Sequence, residues 1–189
     1  MKDEDKKLIG TARQLARPCV LLKHTGSADR FAAVWGGPSI VSGPDEPFRH
    51  WLSIDCRFLP DGLGPSKGVL SVFANEDDCV SGVVTFDPSA KLIASKTSCL
   101  FAHDAQSLPP PDALPPDVYN QYLPIWQSNC PLYTDEAVAV LGGWHFPWPD
   151  GDWEELQETP LVLWTIAESE PWVEVWNEEG EFKVMQRIT

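Results

Sequence analysis

Between Thr97 and Phe182 the chain carries neither lysine nor arginine. Sixteen carboxylates fall in that stretch, whereas residues 1–96 set 12 basic against 12 acidic side chains, and Lys183 and Arg187 complete the net charge of −14. A surface with that field repels phosphate backbones, which argues against DNA or RNA as a partner. No run reaches the roughly 18 apolar residues of a membrane span. The opening Met1–Lys7 is charged and lacks the apolar core of a secretion signal, so the cytoplasm is the expected location.

Chemical signatures are scarce as well. The five cysteines, Cys19, Cys56, Cys79, Cys99 and Cys130, are odd in number, widely spaced and without a C-x-x-C pair, which points to buried reduced thiols. The four histidines, His24, His50, His103 and His145, form no H-E-x-x-H or His-x-His spacing, so no metal is expected. Neither glycine pair lies in a phosphate-cradling motif, and no G-x-S-x-G elbow is present. The turn Asn75-Glu-Asp-Asp78 lacks the spacing of a calcium loop. No catalytic residue and no cofactor is assigned; His103-Asp104 is noted as a candidate acid–base pair.

What is present is enough for a globular protein. With 43% hydrophobic and 22% charged residues the composition is that of an ordinary folded domain. A chain of 189 residues buries roughly 70% of its unfolded surface, so it needs no metal or disulfide to hold it together.

An internal repetition organises the chain. Trp35-Gly-Gly-Pro38 leads through a loop to His50-Trp-Leu-Ser-Ile-Asp55, then to Gly68-Val-Leu-Ser-Val-Phe73 and the acidic turn Asn75–Asp78. Leu141-Gly-Gly-Trp144 leads likewise to Leu161-Val-Leu-Trp-Thr-Ile166, then to Pro171-Trp-Val-Glu-Val-Trp176 and Asn177-Glu-Glu-Gly180. Each copy reads as a Gly-Gly turn, a buried strand, a second strand and an acidic hairpin turn. The expected fold is therefore α+β: duplicated half-domains with mostly antiparallel β-sheets and few short helices. It forms one domain of two pseudo-repeats, about 19–104 and 125–189, joined by a proline-rich connection over 105–124 with polyproline character and one helical turn near Val118–Tyr122.

Around that frame, the spacing of Leu8, Ala12 and Leu15 predicts a helix over Asp3–Ala16 that Pro18 stops. Strands are expected at Cys19–His24, His50–Phe58, Val69–Ala74, Val80–Phe86, Lys91–Ala94, Leu161–Ile166, Trp172–Trp176 and Phe182–Arg187. A short helix capped by Thr134 is expected to run through Ala137–Val140.

These motifs together resemble the bacterial YwqG-like family, a domain of unknown function. The matching pieces are Trp35-Gly-Gly-Pro38, Trp51-Leu-Ser-Ile-Asp55, Gly68–Phe73, Leu141-Gly-Gly-Trp144 and Val162–Ile166. Ser53 and Thr165 stand where that family carries glutamine, and Ala167 where it carries the second aspartate. The resemblance, which spans roughly residues 30–185, implies a duplicated α+β fold with largely antiparallel sheets and brings no agreed activity or catalytic residue. Families of this kind occur beside secreted toxins, which implies an immunity role.

Seven of the nine tryptophans lie at or after Trp126, among the carboxylates. Trp148 and Trp153 sit in the turn-rich Pro147-Trp-Pro-Asp-Gly-Asp-Trp-Glu-Glu155, and alternation puts Trp172, Glu174 and Trp176 on one strand face. Aromatics ringed by carboxylates suit an interface with a basic protein. The expected surface comprises Trp144, Trp148, Asp150, Asp152, Trp153, Glu154, Glu155, Trp172, Glu174 and Trp176. The leading expectation is a non-enzymatic protein-binding module, an immunity protein that neutralises a basic toxin. The alternative is a small-molecule or carbohydrate binder, or a hydrolase, using the groove between the halves.

Overall fold

The computed structural model describes residues 3–37, 39–45, 47–75, 81–94, 99–129, 137–144, 160–165, 172–178 and 180–187. Along the chain these form α1 (Asp3–Gln14), β1 (Arg17–Lys23), β2 (Phe31–Trp35), β3 (Phe48–Asp55), β4 (Val69–Asn75) and β5 (Gly82–Asp87). Then come β6 (Cys99–Ser107), α2 (Tyr119–Gln127), β7 (Ala139–Gly142), β8 (Val162–Thr165), β9 (Trp172–Glu178) and β10 (Glu181–Arg187). Short 3-10 turns cover Ala28–Arg30, Cys56–Phe58, Pro111–Ala113 and Pro116–Val118. The architecture is α+β, a mostly antiparallel sheet with two short helices.

All ten strands join one sheet in the order β10-β9-β8-β7-β1-β6-β2-β3-β4-β5, and every neighbouring pair is antiparallel. Two four-stranded meanders, β2–β5 and β7–β10, therefore flank the central β1–β6 pair. That pair is registered from Arg17↔Ser107 to Lys23↔Phe101. Each central strand also bonds to the meander on its other side, β1 to β7 and β6 to β2. Pro18 is tolerated inside β1 because β7 begins alongside only at Cys19, which leaves the strand a single neighbour at that point.

The two outer strands of the sheet come back together. β5 lies against β10, and Gly82 sits so close that an added Cβ would stand 2.5 Å from Val184 Cγ1 and 2.7 Å from the Phe73 carbonyl oxygen. Because the Phe73 oxygen is backbone, Gly82→Ala is expected to cost about 1–3 kcal/mol through overpacking. Thermal denaturation checks this, and an unchanged midpoint would show that the seam is loose.

Alternation fills the inside of the curled sheet. Val20 and Leu22, Leu52 and Ile54, Leu70 and Val72, Leu100 and Ala102, Ala139 and Leu141, and Val173 and Val175 all belong to one buried cluster. The two-residue period predicted for Val173 and Val175 is thus met. A second, smaller cluster lies between the helices, where Ala12, Leu114, Tyr122 and Trp126 pack with Leu8, Leu108, Val118, Leu123 and Ile125.

Several sequence expectations are corrected here. The connection expected over 105–124 begins with the end of β6 and ends inside α2, with Pro109, Pro110 and Pro111 buried and Tyr122 donating its hydroxyl to the Pro109 carbonyl at 3.0 Å. It is a packed element, because its aromatic and aliphatic side chains cover α1. Ala139 and Val140 are strand and not helix: β1 and β8 hydrogen-bond on either side, and a run that short has no period of its own. Lys91–Ala94 forms no strand. β3 ends at Asp55, whose carboxylate accepts from the Arg57 N–H at 3.0 Å and turns Cys56–Phe58 into a 3-10 helix. The capping segment at Thr134 and the turn Glu76–Asp78 lie outside the described residues.

Candidate functional site

A run of hydrogen-bonded polar side chains gathers on the outer face of β3 and β4, under residues 39–45. The alternation of β3 would send His50 and Ser53 to opposite faces. A shift in the β3–β4 register between His50 and Leu52 inserts one extra residue, and both side chains then point the same way. His50 Nε2 lies 2.8 Å from Ser53 Oγ, Ser53 Oγ lies 2.6 Å from Ser71 Oγ, and Ser39 Oγ donates to Ser71 Oγ at 3.4 Å. On the other side of the imidazole, Nδ1 is 3.1 Å from the Gly37 carbonyl oxygen. Gly36 and Gly37, at φ of 64° and 72°, make the reversal that brings this carbonyl over the ring.

The donors and acceptors can be ordered. A carbonyl only accepts, so Nδ1 carries the proton and Nε2 is the bare nitrogen that accepts from Ser53. Ser53 then accepts from Ser71, Ser71 from Ser39, and Ser39 from the Val41 N–H at 3.2 Å. In this direction the chain ends on the lone pair of a neutral imidazole. Burial holds the His50 pKa below the usual histidine value, against smaller upward contributions from the backbone of Gly37, Gly36 and Leu52. The stability that the neutral ring contributes is therefore present above about pH 6.5 and is lost as pH falls toward the depressed folded value.

A hydroxyl, an imidazole and a carbonyl in line is the geometry of an activated nucleophile. Here, though, Ser53 and Ser71 are completely buried, so no acyl group reaches Ser53 Oγ while residues 39–45 stay in place. The same face holds one discordant group. Thr85, registered opposite Ser71, has a buried hydroxyl with no hydrogen-bond partner among the described residues.

The expected landing surface is only partly described, and two of its described members, Glu174 and Trp176, are buried. Trp176 is 5% exposed and Glu174 0%, with the Trp176 indole N–H donating to Glu174 Oε2 at 3.2 Å. This corrects the expectation of an exposed face on β9: the alternation is as read, but the outer face of this strand is buried too. Trp144 is half-buried. Its indole N–H donates to the Leu15 carbonyl at 2.9 Å and its ring lies 3.6 Å under the Arg17 guanidinium, so it clamps the end of α1 to the second Gly-Gly turn. Trp172 is described as backbone alone, paired with Arg187 and Thr165. Trp148, Asp150, Asp152, Trp153, Glu154, Glu155 and His145 lie outside the described residues.

An open pocket of about 320 Å³ is lined by Ser27, Arg30, Ala102, His103 and Asp104. Arg30 donates to Asp104 Oδ1 at 2.7 Å and to the Ala102 carbonyl at 3.0 Å. His103 turns its Nε2 to the Thr25 carbonyl at 2.7 Å. Neighbours on a strand point to opposite faces, so His103 and Asp104 engage different partners and do not form the acid–base pair. Among the cysteines, Cys19 and Cys56 are buried, and burial pushes the Cys56 thiol up to about 11, leaving it unreactive. Cys79 and Cys130 lie outside the described residues.

Sequence reasoning missed the His50–Ser53 arrangement. The available signal was a serine in each of two apolar runs, Leu52-Ser-Ile54 and Leu70-Ser-Val72, which calls for a buried polar partner. No family model, no curated protein and no solved structure matches this chain.

Proposed function

We propose that the protein is a non-enzymatic binding module whose acidic C-terminal half receives a basic protein. The observation that carries this reading is the absence of lysine and arginine from Thr97 to Phe182 alongside 16 carboxylates. Strands β7 to β10, which carry Glu174, Glu178 and Glu181, lie side by side in the sheet. Such a field speeds encounter with a cationic partner and weakens with salt. The burial of Glu174 and Trp176 moves the contact surface to the remaining acids, above all Asp150, Asp152, Glu154 and Glu155 with Trp148 and Trp153. The resemblance to the YwqG-like family suggests a toxin as the basic partner, neutralised in the cytoplasm.

The test is a pull-down from the native host at about 50 mM and about 500 mM salt, with wild type and D150N/D152N/E154Q/E155Q. One basic protein retained by wild type at low salt, and lost from the variant or at high salt, is the expected result. No protein partner at low salt would sink the reading.

The duplication belongs to the same proposal. The mirrored strand order, with matching meanders and a glycine pair after β2 and again at the end of β7, supports two related halves that exchange their first strands, β1 and β6. On this reading the boundary between the halves would fall before β6. A small-molecule binder remains the second reading, favoured by the Arg30 pocket, where a guanidinium donor and the exposed Asp104 carboxylate stand together. Shifts of the Arg30 and His103 resonances in a fragment screen would bring it forward.

A further inference from the structure

We propose that the open edge of β6, from Ala102 to Gln106, docks an extended basic peptide segment, which adds there as a strand beside the Asp104 carboxylate. The site is separate from residues 150–155, so either surface can fail without the other. Its origin is a mismatch of strand lengths in the middle of the sheet. β6 pairs with β1 from Phe101 to Ser107, but on its other side the register with β2 ends where Phe31 meets Phe101. The chain before Phe31 leaves the sheet as the 3-10 turn Ala28–Arg30. The open pocket of about 320 Å³ lies there, lined by Ser27, Arg30, Ala102, His103 and Asp104. A central strand is thus left with a single neighbour beyond Phe101.

Two hydrogen bonds fix which backbone groups face the gap. The carbonyl of Leu22, the residue opposite Ala102, accepts from the Val138 N–H and so points away from β6. The Ala102 carbonyl accepts from Arg30 Nε at 3.0 Å and points away from β1. In an antiparallel ladder the next residues of β6 to share that direction are Asp104 and Gln106. Pro18, opposite Gln106, has no N–H to offer β6, in keeping with a pair that points apart. Among the described residues, no hydrogen bond meets the N–H or C=O of Asp104 or Gln106 on the open side. The mirrored place on β1 is closed, because Pro18 stands there and the Trp144 ring stacks on Arg17. On β6 the row of donors and acceptors stays at strand spacing, which another extended backbone matches.

Charge selects the occupant. The Asp104 side chain is 79% exposed and Gln106 is exposed as well. Arg30 engages only Oδ1 of Asp104, which leaves Oδ2 for a lysine or arginine directly across the added strand. The Arg30 guanidinium is itself a cation seated at one end of this edge, on the Ala102 carbonyl and Asp104 together. A second copy of this chain is a poor occupant, since pairing edge to edge would bring two Asp104 carboxylates together.

The test is a titration of the full chain at low salt with a heptapeptide alternating lysine and valine, read at the backbone amides of Asp104 and Gln106. Both amides are expected to shift and to exchange with solvent at least about tenfold more slowly in the complex. The Ala105 amide, which faces β1, keeps its rate. Two heptapeptides serve as controls: one alternating glutamate and valine has the wrong charge, and one alternating lysine and proline cannot keep a strand ladder. Neither should bind. Gln106→Pro removes a donor on the open side and none toward β1, so it should fold and bind the lysine–valine peptide about tenfold more weakly. If Gln106→Pro does not fold, the lysine–proline peptide alone separates strand pairing from charge attraction. No binding of the lysine–valine peptide overturns the proposal, and so does equal binding of either control peptide. Slow exchange of Asp104 and Gln106 in the free protein also overturns it: slowing that grows with protein concentration makes a second copy the occupant, and slowing independent of concentration means that the edge is not open.

Discussion

Gly143→Ala is expected to lower stability by about 2–5 kcal/mol, the upper part of the range for a single substitution. Two independent costs meet at this residue. Its φ of 88° lies in the left-handed region, where a side chain costs roughly 1–2 kcal/mol. An added Cβ would also stand 2.8 Å from Ser107 Cβ and 3.1 Å from Cys19 Cβ, on the two central strands of the sheet, and overpacking of that kind costs about 1–3 kcal/mol. Gly37 is the control. It has a comparable φ of 72°, but nothing lies within 4 Å of its added Cβ, so Gly37→Ala should cost only the backbone part, about 1–2 kcal/mol. Chemical denaturation of both variants checks the difference. Equal losses would mean that Ser107 and Cys19 give way freely.

Removing the Tyr122 side chain is the second large effect. Tyr122 is 0% exposed at the centre of the cluster between α1 and α2, and its hydroxyl satisfies the buried Pro109 carbonyl at 3.0 Å. Tyr122→Ala should cost about 3–5 kcal/mol, as large aromatic truncations in cores do. Tyr122→Phe keeps the packing and loses one hydrogen bond, at about 1 kcal/mol. Thermal melts of the pair separate the two contributions. A Tyr122→Ala variant as stable as wild type would mean that α2 and the proline-rich turns are a loose connection after all, as the composition of 105–124 suggests.

The candidate site was less legible than the frame around it. Ser53 and Ser71 stand out as hydroxyls among Leu52, Ile54, Leu70 and Val72, but His50 joins them only through the extra residue in β3. A bulge is set by how two strands pair, and the local pattern of either strand does not show it. The expected binding surface failed in part for a related reason. Alternation placed Glu174 and Trp176 on one face correctly, but whether that face is open or covered depends on what packs over it, which no period reports.

By itself the sequence determined the features that depend on a residue and its near neighbours. These are the two Gly-Gly reversals, the paired valines of β9, the turn at Asn177–Gly180 and the gathering of charge. Glycine's tolerance of positive φ and the two-residue strand period act locally, so they can be read locally. Only the tertiary structure decided that β1 pairs with β6, that Ala139–Gly142 is strand and that 105–124 packs against α1 through Leu114 and Tyr122. It alone decided that β5 returns to β10 and that His50 meets Ser53. Each of these depends on a contact between residues far apart in the chain, where burial and register outweigh local preference.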